Sequence, residues 1–346
     1  MHVLIIGGGA IGCLLAARLA ERGHATTLLA RPATVATIRT RGLLLQEADG
    51  RRLAPPVIAV ETAEQALSTA FDLAVAAVKA YDTAALAAEL RPLLPASTPL
   101  LSVQNGVGNE ALLAAALPGP IMAGALTTPV EVLAPGHVRV ARPSHKLALA
   151  PWRGASDLSR FSELFTEAGF TTQLFRDGPA LKWSKLLMNL PANAQPAILG
   201  TTPAEVFAHP ALADLEVRAW QEALAVLRRA HITPVALGGY PLALFAALAA
   251  RLPRRLVRPF MARFMVGARG SKPPSLTYDL ERGRGRSEVE WLNGAVATEA
   301  ARLGLAAPIN QTLTRLLLDL VTRRADPAAW RDQPQRLLNA VQKTAG

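Results

Sequence analysis

Val3-Leu4-Ile5-Ile6-Gly7-Gly8-Gly9-Ala10-Ile11-Gly12 is the stretch from which the rest of the chain can be read. A strand-like apolar run enters a glycine turn, and the turn opens an Ala/Leu-rich helix that continues to Arg22. A dinucleotide-binding βαβ unit requires that order. Gly7 permits the tight turn, Gly9 lets the backbone approach a pyrophosphate, and Gly12 lets helix and strand pack closely. At the helix start, Ala10, Ile11 and Gly12 carry free N–H groups at the positive end of the helix dipole, which suits phosphate. Thr26-Thr27-Leu28-Leu29-Ala30 supplies the second strand.

The residue after that strand selects the nucleotide. An NAD site carries Asp or Glu about 20 residues beyond the glycines, bonded to the ribose 2′-hydroxyl. Here the position holds Arg31, with no acid near it in sequence. A guanidinium pairs bidentately with a 2′-phosphate, so the expected cofactor is NADP(H).

The 346 residues suffice for two domains, and 51% hydrophobic with 18% charged residues describes a soluble globular chain. The opening apolar run lacks a basic flank and is broken by glycine, unlike a secretory signal. Val235–Ala250 is the most apolar stretch elsewhere; it is too short to span a bilayer and is interrupted by Gly238, Gly239 and Pro241. Neither a membrane crossing nor a membrane partner is expected. The single cysteine, Cys13, excludes an internal disulfide, fits a reducing cytoplasm and reads as a buried helix residue. The net charge is +11, and the basic residues cluster at Arg251–Arg263 and at Arg282-Gly283-Arg284-Gly285-Arg286. Neither run carries the interleaved aromatics of a single-strand platform, Phe260 being the one aromatic in either, so a field attracting anionic ligands is expected in place of nucleic acid. The six histidines are scattered without ligand spacing, so no metal is expected. No Gly-x-Ser-x-Gly elbow points to acyl transfer.

Strands are expected at His2–Ile6, Thr26–Ala30, Asp72–Val78 and Leu100–Val103, with helices Ala63–Thr69 and Thr83–Leu93 between them. Leu126–Leu133, His137–Ala141 and Lys146–Ala150 read as antiparallel strands closing that sheet. Beyond Asp177-Gly178-Pro179 the pattern is helical: Ala180–Leu199, Pro210–Ala230, Leu242–Arg251, Ser287–Leu303 and Asn310–Thr322. The expected architecture is α/β, with an N-terminal Rossmann-type dinucleotide-binding domain over 1–178 and an all-helical domain over 179–346.

Three constellations carry chemistry. Lys79 ends one buried strand, and Gln104-Asn105-Gly106 ends the next, which is where open α/β sheets bind ligands. Asn105 is expected at the crevice mouth among flexible glycines. The third opens the helical half, where Lys185, Asn189 and Asn193 are spaced by four and so share one helix face. Apolar neighbours surround them, and a sheltered lysine of lowered pKa suits a general acid. Pro191 kinks that helix.

In this order the motifs resemble those of the ketopantoate reductase (2-dehydropantoate 2-reductase) family. Pro274-Ser275-Leu276-Thr277-Tyr278-Asp279 and Ser287-Glu288-Val289-Glu290-Trp291-Leu292-Asn293-Gly294 are similar to its C-terminal signature. The resemblance implies NADPH-dependent reduction of a 2-keto acid in the pantothenate pathway. It implies Lys185 as general acid, Glu288 orienting substrate and lysine, and Ser275 holding the substrate carboxylate. It further implies Asn189 and Asn193 on substrate oxygens, and Lys79 and Asn105 lining the cofactor end. The Asp279–Glu288 segment is one residue longer than the family pattern, which leaves Glu290 as the alternative carboxylate. Two other readings stay open: a paralogue acting on another small keto acid, and a sensor that binds NADPH without turnover. The apolar helices are compatible with a homodimer.

Overall fold

The structure is a computed structural model and describes residues 1–154, 157–249, 251–269 and 274–345. Residue 250, in the expected helix Leu242–Arg251, and residues 270–273 lie outside the described residues. The chain divides into two compact units. The first comprises Met1–Gln104 and Gly108–Lys182; the second comprises Asn105–Val107 and the chain from Trp183 onward.

In the first unit the strands are β1 (His2–Ile6), β2 (Ala25–Leu29), β3 (Leu44–Gln46), β4 (Arg52–Leu53), β5 (Ile58–Val60) and β6 (Leu73–Ala76). They are followed by β7 (Leu100–Ser102), β8 (Ile121–Leu126), β9 (Val130–Ala134), β10 (His137–Val140), β11 (Lys146–Arg153) and β12 (Thr171–Leu174). The helices are α1 (Ala10–Glu21), α2 (Pro32–Arg41), α3 (Ala63–Ala66), α4 (Thr83–Leu90), α5 (Asn109–Ala116) and α6 (Ser159–Glu167). The main sheet has the order β12-β11-β8-β7-β6-β1-β2-β5 and is parallel except where β11 meets β8. A sheet covered on both faces needs strands that are apolar on both sides. On β1, Val3 and Ile5 join one core with α1, while Leu4 and Ile6 join the other with α4.

The glycine turn is sterically fixed. Gly7 has φ +116°, and a Cβ on Gly12 would lie 1.8 Å from the Gly7 carbonyl oxygen. Cys13, one residue further on, is buried, and burial pushes its thiol up to about 12, so it carries no thiolate at neutral pH.

One topological expectation is corrected. Leu126–Leu133 is not one strand, and His137–Ala141 does not close the main sheet. Leu126 ends β8, whereas β9 and β10 join β3 and β4 in a separate sheet of order β4-β3-β10-β9. Pro129 explains the break, because a residue without an N–H cannot continue a central ladder. The expected strand Lys146–Ala150 does pair antiparallel with β8, within a longer β11 that runs to Arg153.

The small sheet is fastened to α1 by buried charge. Arg18 Nη1 lies 2.8 Å from Glu21 Oε2 and 3.4 Å from Glu47 Oε1, and Glu47 Oε2 lies 3.2 Å from His145 Nε2.

Helix α7 (Gly178–Asn189) begins in the first unit and ends in the second. The second unit continues with α8 (Ala194–Leu199), α9 (Pro203–Ala208), α10 (Pro210–Arg229), α11 (Leu242–Ala249) and α12 (Arg254–Arg269). It closes with α13 (Ser275–Glu281), α14 (Asn293–Arg302), α15 (Pro308–Val321) and α16 (Pro334–Ala345) around one core. The expected helix Ser287–Leu303 is two elements, a 3₁₀ turn Glu288–Trp291 and then α14, separated at Leu292 with ψ −97°.

Burial lowers the His145 pKa below the ordinary 6.5; Glu47 opposes that shift, while Arg18 and Arg51 reinforce it. A histidine kept neutral when folded leaves the unfolded chain binding the extra proton, so stability falls as pH drops below 6.5. His145→Gln is expected to flatten this acid-side loss in urea unfolding measured between pH 7.5 and pH 5.5.

Candidate functional site

In the first unit, candidate residues lie around the carboxyl ends of the parallel strands. Gly9 is the N-cap of α1 and makes no side-chain cap; a Cβ built on it would meet nothing within 4 Å. Ala10 and Ile11 follow as half-buried residues and Gly12 is buried. The start of a 12-residue helix is thus backbone facing open space, which is what a diphosphate needs. Arg31 follows β2 as the N-cap of α2, with its side chain 60% exposed. The fold adds something that sequence distance concealed: Asp82 Oδ2 lies 3.4 Å from Arg31 Nη2. Lys79, half-buried, is the N-cap of the 3₁₀ turn Ala80–Asp82 just beyond β6.

A buried polar network that sequence reasoning missed underlies these ends. Lys182 Nζ lies 2.8 Å from Glu110 Oε1, with side chains 1% and 0% exposed. Ser102 Oγ donates to the same carboxylate oxygen at 2.7 Å, and Lys182 also donates to the Gln104 carbonyl. Gln104 Nε2 donates to Thr83 Oγ1 at 2.7 Å and to the Val78 carbonyl at 3.2 Å; Thr83 Oγ1 donates to Asn109 Oδ1 at 2.8 Å. The network therefore fixes Val78 and Gln104, the residues directly before Lys79 and Asn105. The available signal was Glu110 set among the apolar residues of a helix that must cover the sheet.

In the second unit, Asn105–Val107 packs on the 3₁₀ turn. Val107 N–H donates to the Trp291 carbonyl at 3.0 Å. Gly106 is not a flexible hinge, as expected from its neighbours, but a packing requirement. It has φ +84°, and a Cβ there would lie 2.5 Å from Trp291 Cβ. Asn189 Nδ2 donates to Asn105 Oδ1 at 3.3 Å.

Lys185 and Asn189 are both half-buried on α7, one turn apart. Asn193 is not on that helix, which corrects the expected three-residue face. Pro191 lacks the N–H and α7 stops at Asn189; Ala192 takes φ 49°, and Asn193 becomes the N-cap of α8. Its side chain repairs the break, with Asn193 Nδ2 donating to the Asn189 carbonyl at 3.1 Å. Asn193 Nδ2 is also 3.3 Å from Ser275 Oγ, and Asn193 Oδ1 accepts from the Leu276 N–H at 3.3 Å. The structure thus joins Asn105 to Asn189 and Asn193 to Ser275. Ser275 itself is exposed, so it remains open to a ligand.

The two candidate carboxylates differ in setting. Glu288 is 3% exposed, and its N–H donates to Asp279 Oδ2 at 2.9 Å, which also accepts from Ser287 Oγ at 3.3 Å. Glu290 is exposed. Asp279, buried beneath Ser287 and Glu288, is a further residue that sequence reasoning left without a role.

Two family models match the chain: ketopantoate reductase PanE/ApbA over residues 3–154, and ketopantoate reductase PanE/ApbA C terminal over residues 179–320. The chain is 24% identical over 325 residues to the 2-dehydropantoate 2-reductase of Aquifex aeolicus (strain VF5), covering 92% of this chain and 96% of that one. A PanE/ApbA family ketopantoate reductase from Ralstonia eutropha JMP134 superposes with TM-score 0.80 at 27% identity, covering 94% of this chain and 99% of that one. D-mandelate dehydrogenase, solved with NADH and anilino(oxo)acetate, shares the fold with TM-score 0.79 at 20% identity, over 93% and 99% of the two chains.

Removing one member of a buried ion pair strands the other charge, at about 3–5 kcal/mol. Lys182→Met is therefore expected to lower unfolding stability by that amount in urea titration. Lys182→Met/Glu110→Gln, which removes both charges, is expected to recover most of the loss.

Proposed function

This chain belongs to the ketopantoate reductase PanE/ApbA family, and from that premise we propose that it reduces 2-dehydropantoate (ketopantoate) to pantoate with NADPH. The observation that carries the reading is the pairing of both family models with Lys185, one turn from Asn189 and half-buried on α7. When bound, a reduced nicotinamide supplies the hydride.

The chain's own residues supply the rest. Lys185 donates a proton to the ketone oxygen as negative charge develops there. An ammonium beside a forming alkoxide stabilises the transition state more than the neutral ketone, so it raises kcat and not merely affinity. Asn189 and Asn193 bond substrate oxygens, Asn193 exchanging its contact with Ser275 to do so, and Ser275 holds the substrate carboxylate. Glu288 orients the substrate and Lys185; its burial supports it over Glu290.

On the cofactor side, Gly7, Gly9, Ala10, Ile11 and Gly12 form the diphosphate cradle. The open space above Gly9 supports that fit, because a side chain there would occupy the approach. Lys79 and Asn105 line the nicotinamide end. Arg31 pairs with the 2′-phosphate, exchanging its contact with Asp82 for a stronger one. A sensor that merely holds the nucleotide has no use for a proton donor.

Lys185→Ala is expected to lower kcat for NADPH oxidation with ketopantoate at least about 100-fold, the scale of general acid catalysis, with NADPH binding unchanged. A kcat within a factor of two of the parent overturns Lys185 as acid. Turnover of a different 2-keto acid but not of ketopantoate moves the substrate assignment alone. Arg31→Ala is expected to weaken NADPH by about 1.5–3 kcal/mol and leave NADH nearly unaffected, as read by fluorescence titration. Equal use of NADH and NADPH by the parent protein overturns the role of Arg31.

A further inference from the structure

The chain has 37 Lys and Arg against 26 Asp and Glu, and the excess is not spread evenly. From Ala223 to Tyr278 there are nine basic residues and no acid, leaving 28 basic against 26 acidic elsewhere. Nine of the eleven net positive charges therefore belong to one stretch of the second unit.

That stretch also leaves apolar side chains in water. Helix α11 reads Leu-Ala-Leu-Phe-Ala-Ala-Leu-Ala and has no polar side chain. A helix apolar on every side is normally buried all round. Here Leu242, Ala246 and Ala249 face the core, while Leu244 and Leu248, one turn apart, are 61% and 45% exposed. The neighbouring α12 repeats the arrangement: Val257 and Met261 are buried, while Leu256 and Phe260 are 47% and 60% exposed. The two helices are joined at this surface. Phe245 of α11 lies 6.5 Å from Phe260 and, on its other side, 5.6 Å from Trp220 of the core. Phe260 is thus held outward on a packed aromatic base. Arg251, Arg254 and Arg255, all exposed, occupy the turn between the helices and the start of α12, and Arg254 meets Asp214 at 3.4 Å.

We propose that the outer face of α11 and the first half of α12 docks on the surface of a bilayer containing anionic lipid. A helix with cations on one face and apolar side chains on the other, as in the first half of α12, lies in the plane of the interface, with apolar side chains entering about 5–10 Å and cations at the level of the headgroups. At eight residues, α11 is about 12 Å long, enough to lie in an interface and far too short to cross one. No helix among the described residues is long and apolar enough to cross a membrane, so surface docking is the mode that fits. The charge pattern decides between occupants. A second copy placed on this face by a two-fold axis would bring two arginine-rich surfaces together, which like-charge repulsion opposes because the neighbouring Asp214 already meets Arg254. An anionic lipid surface complements the arginines and accepts the leucines and phenylalanine together. The sequence reading set a membrane partner aside because its apolar runs are short; the structure shows which of those side chains remain in solvent.

The test is co-sedimentation of the full-length protein with phosphatidylcholine vesicles, pure or containing 30% phosphatidylglycerol. Binding is expected on the anionic vesicles, with little on the neutral ones, and is expected to fall about tenfold between 50 mM and 500 mM NaCl. Arg251→Glu/Arg255→Glu and Leu256→Ser/Phe260→Ser are each expected to lower binding about tenfold or more while the melting temperature stays within about 2 °C. Absence of binding to anionic vesicles overturns the proposal, as does equal binding to both compositions. So does a dimer seen by light scattering that Leu256→Ser/Phe260→Ser dissociates, without vesicle binding.

Discussion

An ammonium and a carboxylate, both closed off from water, stand where the parallel strands of the first unit end. Charges in that position are tolerated only when each satisfies the other and neighbouring dipoles complete the shell. Lys182 and Glu110 meet the requirement with help from Ser102 and the Gln104 carbonyl. Their burial holds the ends of β6 and β7, and the residues proposed to meet the cofactor, Lys79 and Asn105, each lie one position beyond a residue held by the network. A strand end that could fray is made rigid by a pair that cannot separate without exposing a bare charge to apolar surroundings. Precision in the adjoining loops therefore comes from electrostatics below them, not from the loops themselves.

Much of this was legible in the sequence because local sterics dictated it. Gly7 and Gly12 admit no other side chain once α1 packs on β1, so strand, turn and helix could be read directly. The apolar run on β1 belongs to a strand buried on both faces, and a parallel sheet follows. What escaped was set by distance along the chain. Asp82 lies 51 positions from Arg31 and Lys182 lies 72 from Glu110, and no local pattern announces either partner. The separate sheet escaped for the same reason: His137–Ala141 was legible as a strand, but its partner β3 lies far back along the chain.

Pro191 shows the two kinds of information meeting. Spacing alone placed Lys185, Asn189 and Asn193 on one face, and the proline warned that the helix would not run straight. The chain goes further than a kink and stops. The side-chain amide of Asn193 then takes the Asn189 carbonyl, the acceptor that a continuing helix would have used through its backbone. Asn193 is turned at the same time toward Ser275, so the break that disrupts the helix also brings two proposed substrate-binding residues together. Spacing could not have found that pair, 82 residues apart.

The small sheet sets an order on biosynthesis. Leu44 pairs in parallel with His137, so β3 has no neighbour on that side until some 93 further residues have been made. Contacts of such sequence separation form late, because the intervening chain must first give up its freedom. During that interval the cluster of Arg18, Glu47 and His145 lacks its last member, and Glu47 waits for a partner strand. A ribosome that pauses between residues 53 and 137 would hold out an incomplete ribbon with an unpaired edge, a target for holding chaperones. An edge left open through that interval is prone to pairing with another chain.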